Sequence, residues 1–182
     1  MQVTIYNKEE IITALEEKSL GLIKWVSEQE NDKFGISVDE KWSTAQQLSH
    51  LTKSIKPLVK ILSKPKFVMR LLFGTSNRET RGYATVVEKY HLKIAKGGVA
   101  SKRFTPKPYT SADKKRLLDN YTAYSEKLER LVNRFSEKDL DKYILPHPLL
   151  GKLTLREMMF FTIYHTQHHS NSLKELYGQA DH

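Results

Sequence analysis

Residues 154–177, TLREMMFFTIYHTQHHSNSLKELY, decide the fold of this chain. The stretch opens with Thr154-Leu155-Arg156-Glu157, a capping box that is typical of a helix N-terminus. Behind it, residues at helical spacing form one line along the segment: Leu155, Met158, Thr162, His165, His169 and Leu173. His165 and His169 are four positions apart, so an α-helix places both on the same face. The segment predicts a helix that carries two histidines on its inward-facing side.

Three more long helices are predicted upstream. The first covers about residues 8–29, the second begins at the capping box of residues 43–46, and the third covers about residues 112–135. Pro57 lies within the second pattern and is expected to kink that helix or to end it near Lys56. No internal repeat and no segment with convincing strand alternation is present. The sequence therefore predicts an all-α, four-helix bundle that forms a single domain over residues 1–182.

The connection between the second and third helices is long and irregular, from about residue 63 to residue 108. Residues 66–73 and 83–95 have helical patterns, whereas Gly97-Gly98 and Pro106-Lys107-Pro108 interrupt them. Because structureless loops of this length are rare in compact domains, we expect local helices here and a lid-like or interface role. Farther along the chain, residues 146–151 are expected to form a turn.

Positive charge is concentrated in the middle of the chain. The net charge is +9, but residues 52–116 alone hold 17 lysines and arginines against three acids. Such a segment fits a nucleic acid, an acidic membrane surface or an anionic substrate. A nucleic-acid interface would use the aromatic residues Tyr83, Tyr90, Phe104 and Tyr109 for stacking. We favour a solvated surface, because no nucleic-acid-binding motif accompanies the charge.

The composition is that of an ordinary water-soluble protein, with 39% hydrophobic residues and a mean hydropathy of −0.54. The chain has no cysteine. This excludes disulfides, thiolate zinc sites and a cysteine nucleophile of the protein's own. The first six residues do not resemble a signal peptide, and no apolar run approaches the roughly 20 residues that a membrane span needs. A cytoplasmic location is expected.

The histidines carry the strongest chemical signal. His165 and His169 replace core residues, and neutral imidazoles buried without partners would be costly, whereas a metal ion would satisfy one nitrogen of each. His50, between Leu48 and Leu51 on the second helix, offers a third ligand. Solvated surface histidines, or a His50 bonded to a carbonyl group, are the alternatives. His168 competes with His169 for the ligand role.

The remaining histidines are weaker candidates for a metal. His91 lies in the basic middle of the chain and His182 is the last residue. His147 lies between two prolines, where a role in structuring the turn is expected.

Two segments resemble motifs of the DinB/YfiT-like superfamily. Trp42-Ser43-Thr44-Ala45-Gln46-Gln47-Leu48-Ser49-His50-Leu51 resembles its "W-S-x-x-E-x-L-x-H-L" motif. His147-Pro148-Leu149-Leu150-Gly151-Lys152-Leu153-Thr154, with residues 165–169, resembles its "H-P-x-x-G-x-L-T … H-x-x-H-H" end. The resemblance implies a four-helix bundle with two long connections. It also implies a divalent metal, nickel or zinc, held by His50, His165 and His169. Gln46 and Ser172 stand where the family usually has an acidic residue and Gln, so we expect altered hydrogen bonding around the ligands.

By resemblance, the expected activity is that of a thiol-dependent transferase or isomerase, in which the metal activates a low-molecular-weight thiol. The basic segment would then hold an anionic thiol or substrate. Hydrolysis by metal-activated water and a non-catalytic bundle, with exposed tyrosines supporting a homodimer, are alternatives. No catalytic residue is identified: Glu157 is explained by the capping box, and Tyr164 and Tyr124 by the core.

Overall fold

The computed structural model describes residues 7–38 and 41–177. These residues form eight helices and one hairpin. The helices are α1 (Lys8–Glu28), α2 (Asn31–Phe34), α3 (Thr44–Leu62), α4 (Lys66–Phe73), α5 (Tyr83–Ala95), α6 (Lys114–Asn133), α7 (Glu137–Lys142) and α8 (Leu155–Leu176), and the strands are β1 (Ile144–His147) and β2 (Gly151–Thr154).

The four long helices form the bundle, as predicted. Helix α3 packs along α6, α6 along α1 and α1 along α8, and α8 closes the circuit against α3. Their apolar stripes meet in one core, whose largest fully buried side chains include Ile11, Leu48, Tyr121 and Phe160. The all-α prediction is confirmed, with a small two-stranded sheet added to it.

The predicted capping boxes set where two of these helices, α3 and α8, begin. The Ser43 hydroxyl accepts a hydrogen bond from the Gln46 backbone, and the Gln46 side chain accepts one from the Ser43 backbone. Thr154 and Glu157 make the same reciprocal pair at the start of α8. Each pair satisfies two backbone donors that the first turn would otherwise leave without partners.

Pro57 was expected to kink α3 or to end it near Lys56; the helix does not end there but continues through Pro57 to Leu62. Proline removes one helical hydrogen bond and usually breaks a helix interior. Here the buried side chains of Ile55 and Val59 lie on either side of Pro57 and anchor both halves of the helix in the core. Tertiary packing therefore outweighs the local preference.

A hairpin lies where the sequence predicted only a turn. Strands β1 and β2 pair antiparallel, with His147 opposite Gly151, so three residues form the loop. Gly151 has a φ of 75°, in the left-handed region that glycine adopts without a steric penalty and that a three-residue hairpin loop requires. Each strand has four residues, which is too short for strand alternation to be evident in the sequence.

The basic connection folds as the sequence indicated in its two helical stretches, α4 and α5. Helix α5 packs on α8, with Tyr90 against Phe161 at 5.5 Å between ring centroids. The third bundle helix begins at Lys114, after a 3-10 turn over Ser111–Asp113, slightly later than predicted. The short helices α2 and α7 were not predicted.

A buried carboxylate fastens this connection to α8. Glu157, fully buried, accepts hydrogen bonds from the guanidinium groups of Arg78 at 2.6 and 2.7 Å and of Arg81 at 2.8 and 2.9 Å. Burial alone would raise the pKa of Glu157, but hydrogen bonds from Arg81 and Arg78 outweigh it and lower the pKa to about 2. Besides capping α8, Glu157 thus holds residues 78–81 against the start of that helix.

No helix in residues 7–38 and 41–177 combines the length and the apolar character that a membrane crossing requires.

Candidate metal centre

Three histidines from two helices of the bundle converge. Nε2 of His165 lies 3.1 Å from Nε2 of His50 and 3.2 Å from Nε2 of His169. Helical spacing stacks His165 above His169 on α8, and the packing of α3 against α8 brings His50 to them. His50 and His165 are buried, and His169 is partly buried. The structure therefore brings together the three residues that the sequence singled out.

The outer nitrogens of two of these imidazoles are held by fixed acceptors. Nδ1–H of His50 donates to the backbone oxygen of Phe104 at 2.9 Å, and Nδ1–H of His169 donates to Oε1 of Gln47 at 2.8 Å. Gln47 is itself oriented, because its Nε2 donates to the Trp42 backbone oxygen at 3.0 Å. Both histidines therefore present the unprotonated Nε2 to the centre, as a metal ligand must.

This donor set fits a divalent cation. The lone pairs on Nε2 of His50 and Nε2 of His169 both point at Nε2 of His165. That nitrogen can carry at most one proton, so at least one of the two lone pairs lacks a hydrogen-bond donor. An ion about 2.0–2.1 Å from each of three tetrahedrally arranged nitrogens would separate those nitrogens by roughly 3.3 Å. The two measured separations are close to this value. The buried histidine cluster can therefore hold a metal ion.

The environment keeps the three imidazoles neutral. Burial lowers the pKa of His50, and burial together with the neighbouring histidines lowers the pKa values of His165 and His169 well below the ordinary value. Neutral imidazole is the form that binds metal.

The competing histidine, His168, lies outside the cluster. Its ring centroid is 5.4 Å from that of His169, but the nitrogen that joins the cluster belongs to His169. His91 is bonded elsewhere, with its Nε2 2.6 Å from the hydroxyl of Tyr164. His182 lies outside the described residues.

The turn-structuring role of His147 is confirmed. Its Nδ1 accepts hydrogen bonds from the backbone N–H groups of Leu149 at 3.2 Å and Leu150 at 3.1 Å. Its ring also packs against Phe161 at 4.2 Å between centroids, and Phe161 stacks on His165 at 4.9 Å. Phe161 thus contacts both His147 and the clustered His165. The sequence did not predict that His147 lies near the cluster.

A cavity of about 210 Å³ opens beside the histidines. All three line it, together with apolar side chains that include Leu51, Ile55, Ile94, Phe104, Met158 and Phe161. Such a predominantly apolar pocket with a few convergent polar groups is typical of a small-molecule site.

The basic side chains of residues 52–116 do not line this cavity. Among the described lining residues there is no lysine, arginine, aspartate or glutamate. The segment contributes apolar side chains and backbone groups to the site instead. One of these groups is the carbonyl oxygen of Phe104, which accepts the hydrogen bond from His50. Lys53 and Ser49 of α3 hold the same loop, through Thr105 O at 2.8 Å and the Tyr109 hydroxyl at 2.9 Å.

The chain matches one known protein family over most of its length. The sequence model of the DinB superfamily matches residues 12–173, which include all three clustered histidines. Neither a curated protein nor a solved structure gives a significant match to the chain.

Proposed function

The chain belongs to the DinB superfamily, and on that premise we propose that it is a metal-dependent enzyme that acts on small molecules. The observation that carries the proposal is the convergence of three Nε2 atoms beside an apolar cavity. Three protein ligands leave coordination positions free, the arrangement of a catalytic rather than a purely structural metal site. Zinc or nickel is the proposed ion, since imidazole suits both and no thiolate ligand is present.

The reaction we propose is transfer or isomerisation that uses a low-molecular-weight thiol as cosubstrate. A divalent ion at the cluster would act as a Lewis acid and lower the pKa of a bound thiol toward neutrality. The residues of the chain would hold His169 and His50 in the correct tautomer, through Gln47 and Phe104, and exclude water with the apolar wall. A thiol brought below its ordinary pKa of about 8.5 needs no separate general base.

The lining composition favours this reaction over hydrolysis. Hydrolytic metal sites commonly use a carboxylate as general base, whereas the described residues around the cavity include none. Glu157, which a sequence search for bases would consider, is occupied by Arg78 and Arg81. An anionic thiol would have to keep its charged groups outside the apolar wall, since the described lining residues include no lysine or arginine.

The test is a transferase assay on protein of known metal content. Zinc- and nickel-loaded samples would be incubated with cysteine, glutathione or cysteamine and the electrophile 1-chloro-2,4-dinitrobenzene, with product followed by absorbance. We expect product formation faster than the uncatalysed thiol reaction. The enhancement should disappear in His165→Ala and after chelation, and it should persist in the matched variant His91→Ala. Rates equal to the uncatalysed reaction with every thiol and both metals would contradict the proposal.

A further inference from the structure

The cavity beside the histidines is uncharged apart from any bound ion. The described residues that line it include no acidic side chain, lysine or arginine. His147 is neutral for a geometric reason, because its Nδ1 accepts two backbone hydrogen bonds and so carries no proton. A charged group placed against this wall would lose its hydration without gaining a partner.

Two hydroxyl groups on the wall, those of Ser54 and Thr162, already have partners inside the protein. The hydroxyl of Ser54 donates to the His50 backbone oxygen at 3.0 Å, and that of Thr162 donates to the Met158 backbone oxygen at 2.8 Å. Both are helical side chains bonded to the preceding turn. They are therefore not free donors for a bound molecule.

Two other lining residues do offer free donors. Since Nδ1 of His147 is the acceptor, its proton lies on Nε2, and that nitrogen has no hydrogen-bond partner within residues 7–38 and 41–177. Tyr90 is only 5% exposed, yet its hydroxyl likewise has no partner in the described chain. Burial raises the pKa of Tyr90 to about 12, which keeps its hydroxyl protonated. Neither atom is among the fully buried side-chain atoms without a partner in the described chain, so each keeps accessible surface and can bond a molecule in the cavity that both residues line.

Both donors border the same ring. The centroid of Phe161 lies 4.2 Å from that of His147 and 5.5 Å from that of Tyr90, and Phe161 stacks on His165. The rings that carry the two neutral donors therefore pack against the aromatic side chain that covers one of the clustered imidazoles. A molecule lying against Phe161 is within the region that both residues line.

We propose that the cavity binds an uncharged molecule with an apolar body and a carbonyl-type oxygen, which accepts a hydrogen bond from the Tyr90 hydroxyl or from Nε2–H of His147. A carbonyl oxygen is an acceptor only, so it matches either donor. This assignment rests on the proposed function in taking the cavity as the substrate site, and it names the class of electrophile that the enzyme would accept.

The test compares three molecules that share a phenyl ring: acetophenone, ethylbenzene and benzoate. Binding would be titrated on the full chain through the methyl signal of Met158, which lines the cavity, with the buried Met69 as internal reference. We expect acetophenone to bind about five- to tenfold more tightly than ethylbenzene, the difference that one net hydrogen bond supplies. In chelated protein, benzoate should bind more weakly than acetophenone.

Two variants remove the donors separately. Tyr90→Phe removes only the hydroxyl, and His147→Asn keeps an acceptor oxygen near the position of Nδ1 while removing Nε2–H. The variant that lacks the donor in use should weaken acetophenone binding about three- to tenfold, and the double variant should do so whichever donor is used, while ethylbenzene binding stays unchanged. Equal binding of ketone and hydrocarbon by the wild type, a ketone preference that survives the double variant, or tightest binding of benzoate to chelated protein would overturn the proposal.

The metal content of the same sample separates this inference from the proposed function. A protein that takes up no metal but prefers acetophenone contradicts the enzyme proposal and supports the ligand class. A metal-loaded protein that binds acetophenone no better than ethylbenzene contradicts the ligand class and supports the enzyme proposal.

Discussion

Gln47 and His169 are 122 positions apart, yet Oε1 of Gln47 accepts a hydrogen bond from Nδ1–H of His169 at 2.8 Å. The amide is held from its other side by the Trp42 backbone oxygen. Gln47 thus fixes both the tautomer and the ring orientation of a proposed metal ligand. Groups of this kind usually contribute about 10–100-fold to metal affinity.

Gln47→Ala should therefore lower zinc affinity about 10–100-fold while leaving the stoichiometry of binding unchanged. The measurement is competition with a chromophoric chelator. Gln46→Ala is the matched control, because Gln46 caps α3 at the Ser43 backbone and takes no part in the cluster. Removal of that cap should cost stability but not affinity. Equal zinc affinities of the two variants would contradict the role assigned to Gln47.

Glu157→Ala should destabilise the fold. It leaves Arg78 and Arg81 without their carboxylate and removes the capping box of α8, and loss of one partner of a buried ion pair typically costs 3–5 kcal/mol. Because the arginine side chains are 38% and 22% exposed, we expect a somewhat smaller cost than that range, about 2–4 kcal/mol.

Urea unfolding measures this cost, with Glu126→Ala as control. Glu126 pairs with Arg130 on the exposed surface of α6, where ion pairs contribute about 0–1 kcal/mol. If Glu157→Ala unfolds at the same urea concentration as Glu126→Ala, the buried ion pair does not anchor residues 78–81.

The stability of the metal-free protein should depend on pH through its histidines. Burial lowers the pKa of His147 to about 4, and it also lowers those of the three clustered histidines. In the unfolded chain these groups titrate near 6.5. Between pH 6.5 and about 4 the unfolded state therefore binds protons that the folded state does not, so stability falls as pH decreases through this window.

Thermal unfolding of chelated protein between pH 8 and pH 4.5 checks this dependence. The midpoint should be nearly constant above pH 7 and decrease below pH 6.5, with a shallower decrease in His147→Asn. A wild-type midpoint that stays constant down to pH 5 would show that the folded histidines titrate as they do in the unfolded chain.

How far the sequence predicted this site depends on the kind of group involved. His165 and His169 follow from a four-residue spacing on one helix, which places side chains on a common face whatever the tertiary structure. His50 was proposed from its place between Leu48 and Leu51 and from the motif resemblance, but whether it reaches the pair depends on how α3 packs against α8. The acceptor for His50 is the backbone oxygen of Phe104. Every residue has a backbone oxygen, so the sequence does not indicate which one accepts this hydrogen bond.

The parts that the sequence missed depend on tertiary contacts. Attention to the departures at Gln46 and Ser172 did not identify Gln47, whose role appears only when α8 lies beside α3. The continuation of α3 through Pro57 depends in the same way on burial of Ile55 and Val59. Three further expectations remain predictions: the single domain over residues 1–182, the cytoplasmic location and the homodimer.

The most direct test of the central claim is elemental analysis of tag-free protein purified without a nickel column. The comparison proteins are His50→Ala/His165→Ala/His169→Ala and the control His91→Ala, whose substituted residue lies outside the cluster. The account predicts nearly one divalent ion, nickel or zinc, per chain in the wild type and in His91→Ala, and none in the triple variant. Folded wild-type protein that contains no metal and takes up none on titration would contradict it.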